Sequence, residues 1–396
     1  MARLIENLDL IKSHPWFTPI ALALASIATI ILISYLIRYL IALSRPPHVA
    51  ALYIYPVKSC RGVKVDSITL TRLGFKYDRE WMIINSQTGH MVSAREYPHM
   101  VLIAPEIDEQ ANTLTLRYDN ESPLVVSLTR PSASAKVTVW DDHIEARRYG
   151  DEATQWVTRV INSKSSTIES PAADNENEDG ATSSSAPKAP PQFHLVSIVS
   201  TEKHSRPLDP KYNWNGESHP NQSSFSDGFP LLLANESSLR LLNRWTRGRR
   251  VVEMEAFRPN IIMAGGRITP FDEDSWRSVM IGSIQCWAAK PCERCIMTTV
   301  VPSEGKRHPT GEPLISLREK RKLFPKSPRF KDSVFFGQNL IPSVSSGKIS
   351  LNDPIRVIER KPTKLEFYPE YTDRVAGSED EKERLVKYGF VQKYEA

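Results

Sequence analysis

The sequence predicts a β-rich α+β fold: an N-terminal β domain and a C-terminal, barrel-like β domain, both behind a single transmembrane helix. Short apolar or β-branched runs recur between Gly, Pro, Asn and Asp turns from residue 49 to residue 358. Clear helical periodicity in the body of the chain is confined to the stretches after Asp151 and after Asn235. Ahead of both lies a run without charge, residues 16–37.

That run reads WFTPIALALASIATIILISYLI, 22 residues. At about 1.5 Å per residue it spans roughly the 30 Å of a hydrocarbon core. Trp16, Phe17, Tyr35 and Tyr39 supply aromatic belts, and Arg38 and Arg45 follow. In residues 1–15, Arg3 and Lys12 balance Glu6 and Asp9. The positive side is therefore C-terminal, which predicts an anchor whose following domains face the cytosol. A cleaved signal peptide and a buried helix are the alternatives. The run is longer than an ordinary signal core, and the preceding segment is not basic.

Residues 48–161 read as the N-terminal β domain. Val49 to Tyr55 is apolar and stops at Pro56. Trp81 to Ile84, the turn Asn85-Ser86-Gln87-Thr88-Gly89 and His90 to Ala94 form a hairpin signal. Thr113 to Tyr118, Val125 to Leu128, Lys136 to Trp140 and Ile144 to Arg148 continue the strands. Asp151 is placed to cap a helix whose buried face is Ala153, Trp156, Val157, Val160 and Ile161. Residues 162–191 are rich in Ser, Ala, Pro, Asn, Asp and Glu, and predict a disordered linker or insertion.

Residues 192–361 read as the second domain. Phe193 to Val199 predicts a strand, 203–229 a long polar loop, and Leu231 to Ala234 an apolar run. Asn235 is placed to cap a helix with Leu239, Leu242 and Trp245 on its face. Further strands are predicted at Asn260 to Ala264, Ser278 to Ile281, Ser283 to Ala288, Ile296 to Val301, Lys348 to Leu351 and Ile355 to Ile358. Residues 362–396 form a charged extension, with a short helix expected from about Glu381 to Tyr388.

Composition excludes some classes. There are 51 Lys and Arg against 46 Asp and Glu, a net charge of +5, which makes no case for a nucleic-acid tail. A local basic pocket for a phosphorylated ligand remains open. Four cysteines, Cys60, Cys286, Cys292 and Cys295, are too few for an oxidised scaffold of this length.

Cys292 and Cys295 lie in Lys290-Pro291-Cys292-Glu293-Arg294-Cys295. A zinc site needs about four ligands, and only two isolated cysteines remain. A thioredoxin-like dithiol needs a helix after its first thiol, whereas β-formers follow here. One thiolate on a metal otherwise held by an organic cofactor also fits, as do two structural thiols. A second constellation is basic and polar. Lys58 and Ser59 follow a strand, Arg79 precedes one, Ser93 and Arg95 end another, and Arg258 and Asn260 stand at a strand entrance. Converging, they could clamp an anion through charge-assisted bonds.

The stretches YPVKSCRG (55–62), YDREWMII (77–84), GHMVSAR (89–95), EAFRPNII (255–262), EDSW (273–276) and PCERCIMTTV (291–300) occur in this order. In them the chain resembles the MOSC-domain family with an N-terminal MOSC β-barrel domain, in particular its mitochondrial amidoxime-reducing members. The resemblance spans about 48–361, apart from 162–191. It implies an N-terminal MOSC-type β domain and a MOSC barrel-like β domain forming a cleft for a molybdenum cofactor, the Mo-molybdopterin form. It makes Cys295 the metal-ligating and catalytic thiolate and Cys292 its non-ligating neighbour. Lys58, Ser59, Arg79, Ser93, Arg95, Arg258 and Asn260 become the residues that hold or surround the cofactor. The implied reaction is two-electron reduction of N-hydroxylated substrates, namely amidoximes, hydroxylamines and N-oxides, to amines or amidines and water. Cytochrome b5 and NADH-cytochrome b5 reductase would donate the electrons, and the mitochondrial outer membrane would hold the anchor. Two other readings stand beside it: an oxotransferase for another substrate such as nitrite or a sulfoxide, and a non-catalytic membrane-tethered cofactor carrier. Pro291 departs from the family pattern, where a small residue often precedes the first cysteine.

Overall fold

The computed structural model describes residues 17–164 and 190–361, apart from 205, 210, 211, 213–221, 267 and 326. The chain divides into two compact units, one of residues up to Pro47 with Gly265–Ile268, the other holding the remainder.

The first unit is dominated by a helix over Phe17–Ser44, 28 residues rich in Leu, Ile and Ala. Pro19 sits in its first turn, where the missing N–H is not needed. Ser26 and Thr29 return their hydroxyls to the carbonyls of Leu22 and Ala25, so these polar groups are satisfied within the helix. Leu22, Leu24, Ile30 and Leu32 are all exposed. The expected span over 16–37 is nevertheless not met among the described residues, where no helix is long and apolar enough to cross a membrane. The linker at 165–189 and the extension at 362–396 lie outside the described residues.

The second unit holds two main sheets. A four-stranded antiparallel sheet runs Trp81–Asn85, Phe193–Ile198, Asp142–Arg148, Ser134–Val139. A smaller meander, Ala104–Asp108, Thr113–Arg117 and Leu124–Ser127, accompanies it. The helix Asp151–Asn162 closes their core with Ala153, Trp156, Val157, Val160 and Ile161, packed in one cluster with Trp81, Leu114 and Leu195. Its cap is Gly150, without a side-chain bond, so Asp151 is the first helical residue rather than the cap. There its charge still complements the helix N-terminus.

The larger sheet has eight strands in the order Val63–Val65, His48–Ile54, Ile261–Ala264, Leu231–Asn235, Val334–Pro342, Ile284–Arg294, Trp276–Ile281, Ile355–Arg360. All neighbours are antiparallel except Leu231–Asn235 with Ile261–Ala264. That parallel pair needs a crossover, and the helix Glu236–Trp245 lies within it. Asn235 caps this helix, its side chain accepting from the Ser237 N–H at 2.9 Å.

Strands cross the division drawn on the sequence at three places, one of them the pairing of Gly347–Ser350 with Ser67–Thr71. His48–Ile54 joins the larger sheet through Ile261–Ala264, and Phe193–Ile198 joins the smaller one between Trp81–Asn85 and Asp142–Arg148. Two local expectations also change. The segment after the Asn85 turn contributes only isolated bridges at His90 and Met91, because the Ser93 carbonyl then accepts from Glu96 and Tyr97 and turns the chain. Ile296–Thr299 is a 3-10 turn, and only Val300–Val301 is strand. The hydroxyls of Thr298 and Thr299 bond back to the carbonyls of Cys295 and Ile296, at 3.0 and 2.7 Å, which holds the turn against the β preference of these residues.

Candidate active site

The site begins where two chain segments are laced together. The Lys58 N–H donates to the Trp81 carbonyl and the Arg79 N–H to the Tyr55 carbonyl, both at 2.8 Å. Buried Asp78 is the hub beneath them. Its Oδ1 accepts from the Tyr55 N–H at 2.8 Å, from Asn260 Nδ2 at 3.0 Å and from Arg79 Nη1 at 2.7 Å. Arg79 also donates to the Arg258 carbonyl at 3.1 Å. The guanidinium groups of Arg79 and Arg258 lie 4.2 and 4.3 Å from the centroid of the Tyr55 ring.

Ser59, Arg79, Trp140 and Arg258 all adopt left-handed backbone, with φ of 68°, 51°, 56° and 55°. Non-glycine residues enter that region at a cost, and such strain gathers at functional sites. Each of the four lines one cavity of about 690 Å³. The same cavity is lined by Lys58, Ser93, Arg95, Asn260 and, opposite them in sequence, Cys292 and Cys295. All eight residues singled out from the sequence thus meet in one place.

A loop crosses the cavity from the second half of the chain. Arg206, itself buried, donates to Asp142 Oδ2 at 2.7 Å, to the Ser224 carbonyl at 3.1 Å and to the Ser226 carbonyl. The Phe225 N–H donates to the Arg79 carbonyl at 3.0 Å, and Ser224 Oγ to the Asp78 carbonyl at 2.7 Å. So fixed, the loop presents Asp227 to Lys58 Nζ at 2.5 Å. Trp140 Nε1 donates to the same carboxylate at 3.3 Å, and the Arg95 guanidinium lies 4.2 Å from the Trp140 ring centroid.

Six cationic side chains line the cavity, Lys58, Arg79, Arg95, Arg258, Lys290 and Arg294, against the carboxylates Asp227, Glu293 and Asp332. The electrostatics follow. Burial pulls the Arg258 guanidinium down to about 10, with Arg79 adding repulsion. Burial likewise lowers Lys58, although Asp227 opposes it. Desolvation would raise Asp227, but Lys58, Arg95 and Arg79 overcome it and hold that carboxyl well below the usual range.

The thiol side is set by backbone. The strand Ile284–Arg294 carries register shifts between Ala288 and Lys290 and between Pro291 and Glu293. These irregularities accommodate Pro291, which has no N–H for the ladder, and they fall on the residues leading to the cysteines. Cys295 follows the strand and heads the 3-10 turn. Arg250, buried, ties that turn down, donating to the carbonyls of Thr298 and Thr299 at 3.1 Å each and of Val300 at 3.2 Å. Arg294 serves the frame rather than a ligand: it donates to the carbonyls of Phe336 and Phe257. Gly337, with φ of 77°, permits that approach, since an added Cβ would lie 2.7 Å from the Leu233 carbonyl oxygen.

Cys60 and Cys286 are fully buried, and burial pushes both thiols up to about 12. Among the described residues no group of three or more His, Cys, Asp and Glu could hold a metal ion. A metal here would need most of its ligands from a cofactor, with Cys292 or Cys295 as the accessible thiols. The cavity suits such a group. Arg258 Nη1 donates to the Cys60 carbonyl at 2.7 Å, while its Nη2 is buried without a hydrogen-bond partner. An orphaned guanidinium donor in a cation-rich wall calls for an anionic acceptor, and a pterin phosphate is one.

The structure qualifies two candidates and adds others. Asn260 lines the cavity, yet its Oδ1 accepts from the Leu232 N–H and its Nδ2 donates to Asp78 and to the Tyr53 carbonyl, so it positions the wall. Ser93 also turns the chain through its carbonyl. Asp78, Trp140, Arg206, Asp227 and Arg250 were not anticipated. Asp78 had a signal, an acid directly before Arg79 and a strand. The others show theirs only when the chain is folded.

The MOSC N-terminal beta barrel domain matches residues 47–164, and the MOSC domain matches residues 220–356. Mitochondrial amidoxime-reducing component 1 of Homo sapiens is 32% identical over 320 residues, covering 78% of this chain and 82% of the relative. Mitochondrial amidoxime reducing component 2 of Homo sapiens is 31% identical over 322 residues, with the same coverage. Molybdenum cofactor sulfurase of Botryotinia fuckeliana is 28% identical over 331 residues, covering 76% of this chain and 39% of that protein.

Proposed function

Because the chain belongs to the MOSC-domain family, with both the N-terminal β-barrel and the MOSC domain, we propose that it is a molybdenum-cofactor-dependent reductase of N-hydroxylated small molecules. The observation that carries this is the cavity itself, where Lys58, Ser59, Arg79, Arg95 and Arg258 line a space shared with Cys295. A bound molybdenum cofactor would supply the two-electron couple that, with two protons, turns the N–O bond of an amidoxime, hydroxylamine or N-oxide into amidine or amine and water.

The residues of the chain then divide their work. Lys58, Arg79 and Arg95 hold the anionic end of the cofactor, and Arg258 directs its free Nη2 there. Asp78 and Asn260 orient those cations. Cys295 supplies the single protein thiolate, kept in place by the 3-10 turn and Arg250. Cys292 is the non-ligating neighbour, its thiol pushed up chiefly by desolvation. Electrons come from outside, from cytochrome b5 and NADH-cytochrome b5 reductase, as the family resemblance implies. From the sequence alone, the uncharged run 16–37 and the basic residues after it favour attachment to a membrane, the mitochondrial outer membrane, with the later domains on the cytosolic side. What supports the anchor is the uncharged run 16–37 and its exposed apolar side chains. Alkaline extraction of fractionated membranes tests it.

The likeness to a molybdenum cofactor sulfurase favours a second reading, in which the same cavity carries the cofactor without turning over an N–O bond. Elemental analysis and pterin detection on purified protein, followed by turnover of an amidoxime with reduced cytochrome b5, separate the two. Molybdenum, pterin and amidine production support the reductase. Molybdenum without turnover favours the carrier. Zinc without pterin overturns both.

A further inference from the structure

A second cavity, of about 390 Å³, adjoins the first, and Ala256, Arg258 and Met297 line both. Its volume is in the range of ordinary ligand sites. The remaining walls are aromatic and apolar, Tyr53, Tyr55, Val101, Val300 and Pro302, with the carboxylates Glu253 and Glu255 beside them. Glu255 is oriented: Tyr53 Oη donates to its Oε1 at 2.8 Å. Burial, and then that hydrogen bond, push the Tyr53 phenol up to about 12, so it remains a donor.

The two cavities differ in charge. Six cations face three carboxylates around Cys295. Arg61 and Arg258 balance Glu253 and Glu255 in the second chamber, with Arg258 Nη1 on the Cys60 carbonyl and its guanidinium against the Tyr55 ring. Reduction of an amidoxime changes the charge of the molecule. The N-hydroxyl form is a weak base, neutral near pH 7, whereas the amidine is a strong base and a planar cation. A cation is repelled by the net positive wall where it is made, and meets balanced charge and the Glu255 carboxylate in the neighbouring chamber.

We infer that the second chamber is a binding site for flat organic cations of the amidinium class, with Glu255 as the recognising carboxylate and Met297 at the shared wall. Resting on the reductase reading, this makes it the site that draws product away from Cys295. A thioether side chain at the wall can change rotamer at low cost, which suits a passage.

Benzamidine is the probe, with benzamide as its neutral isostere, titrated by calorimetry against the full chain and its Glu255→Gln variant. Gln keeps an acceptor for Tyr53 Oη and removes the charge. Benzamidine should bind wild type, weaken about tenfold in Glu255→Gln, and outbind benzamide only in wild type. Glu253→Gln should weaken it less and serves should the first variant fold poorly. Benzamidine binding that is absent, or equal in wild type and both variants, overturns the assignment. Glu255-dependent binding without amidoxime turnover sinks the reductase and leaves the chamber a cation site. Turnover without such binding does the reverse.

Discussion

The two walls of the main cavity are held in opposite ways. The cationic wall is fixed through side chains: Asp78 gathers Tyr55, Arg79 and Asn260, and Asp227 takes Lys58. The thiol wall is fixed through backbone: a bulged strand delivers Cys295, and Thr298 and Arg250 secure its turn by carbonyl contacts. The first wall is therefore preorganised for an anion at a cost in buried charge, whereas the second leaves its sulfur uncommitted. Damage to the first should appear as lost stability, and damage to the second as lost chemistry on an intact fold.

The sharpest break is Cys295→Ser. It should lower amidoxime turnover on the order of 1000-fold or more, about 4 kcal/mol of barrier, with the thermal midpoint unchanged. Normal turnover at normal molybdenum content would remove the thiolate assignment. Asp78→Ala does the opposite. It strands Arg79 and frees Asn260, so chemical denaturation should show a loss of about 3–5 kcal/mol, with cofactor loss following. A stability unchanged by that variant would dissolve the contrast between the walls.

Acid should find the cationic wall next. His204 is buried, its ring edge-on to Phe225 at 5.7 Å, on the loop that carries Asp227. Burial, then Arg206, pull its pKa from 6.5 to about 4. The unfolded chain takes up a proton before the native one does. Stability is thus full above pH 6.5 and is lost as pH falls towards 4, by up to about 3 kcal/mol. In His204→Gln the dependence over that window should flatten, as denaturation at several pH values would show.

The smallest effects sharpen the thiol wall. Thr298→Val removes the hydroxyl bond to the Cys295 carbonyl and restores a strand-favouring residue. Turnover should drop about three- to tenfold with little change in melting. Cys292→Ser should alter turnover less than that. Equal losses in the Cys292 and Cys295 variants would point to a dithiol.

The sequence made the site's residues legible but not their meeting. Lys58, Arg79, Arg95, Arg258 and Cys295 stand out through the resemblance of the motifs that hold them, since a cation or thiol beside a strand end is ordinary by itself and no periodicity links them. The Asn235 cap and the apolar face Ala153 to Ile161 were readable, since both depend on neighbours within a few residues. The turn at Ile296–Thr299 was not: β-branched residues favour strand, and only the hydroxyl back-bonds decide otherwise. Asp227 and Trp140 were hidden because their importance comes from Lys58 and Arg95, brought to them from far along the chain.

The exchange of strands between the two sheets reaches beyond the folded state. Trp81–Asn85 finds its partner more than a hundred residues later, at Phe193–Ile198, and His48–Ile54 waits for Ile261–Ala264. On the ribosome, neither sheet can close while only the first half has emerged, so bare strand edges persist through much of synthesis. Severing the polypeptide at the linker would yield two mutually incomplete pieces, each with an unmet ladder that invites aggregation.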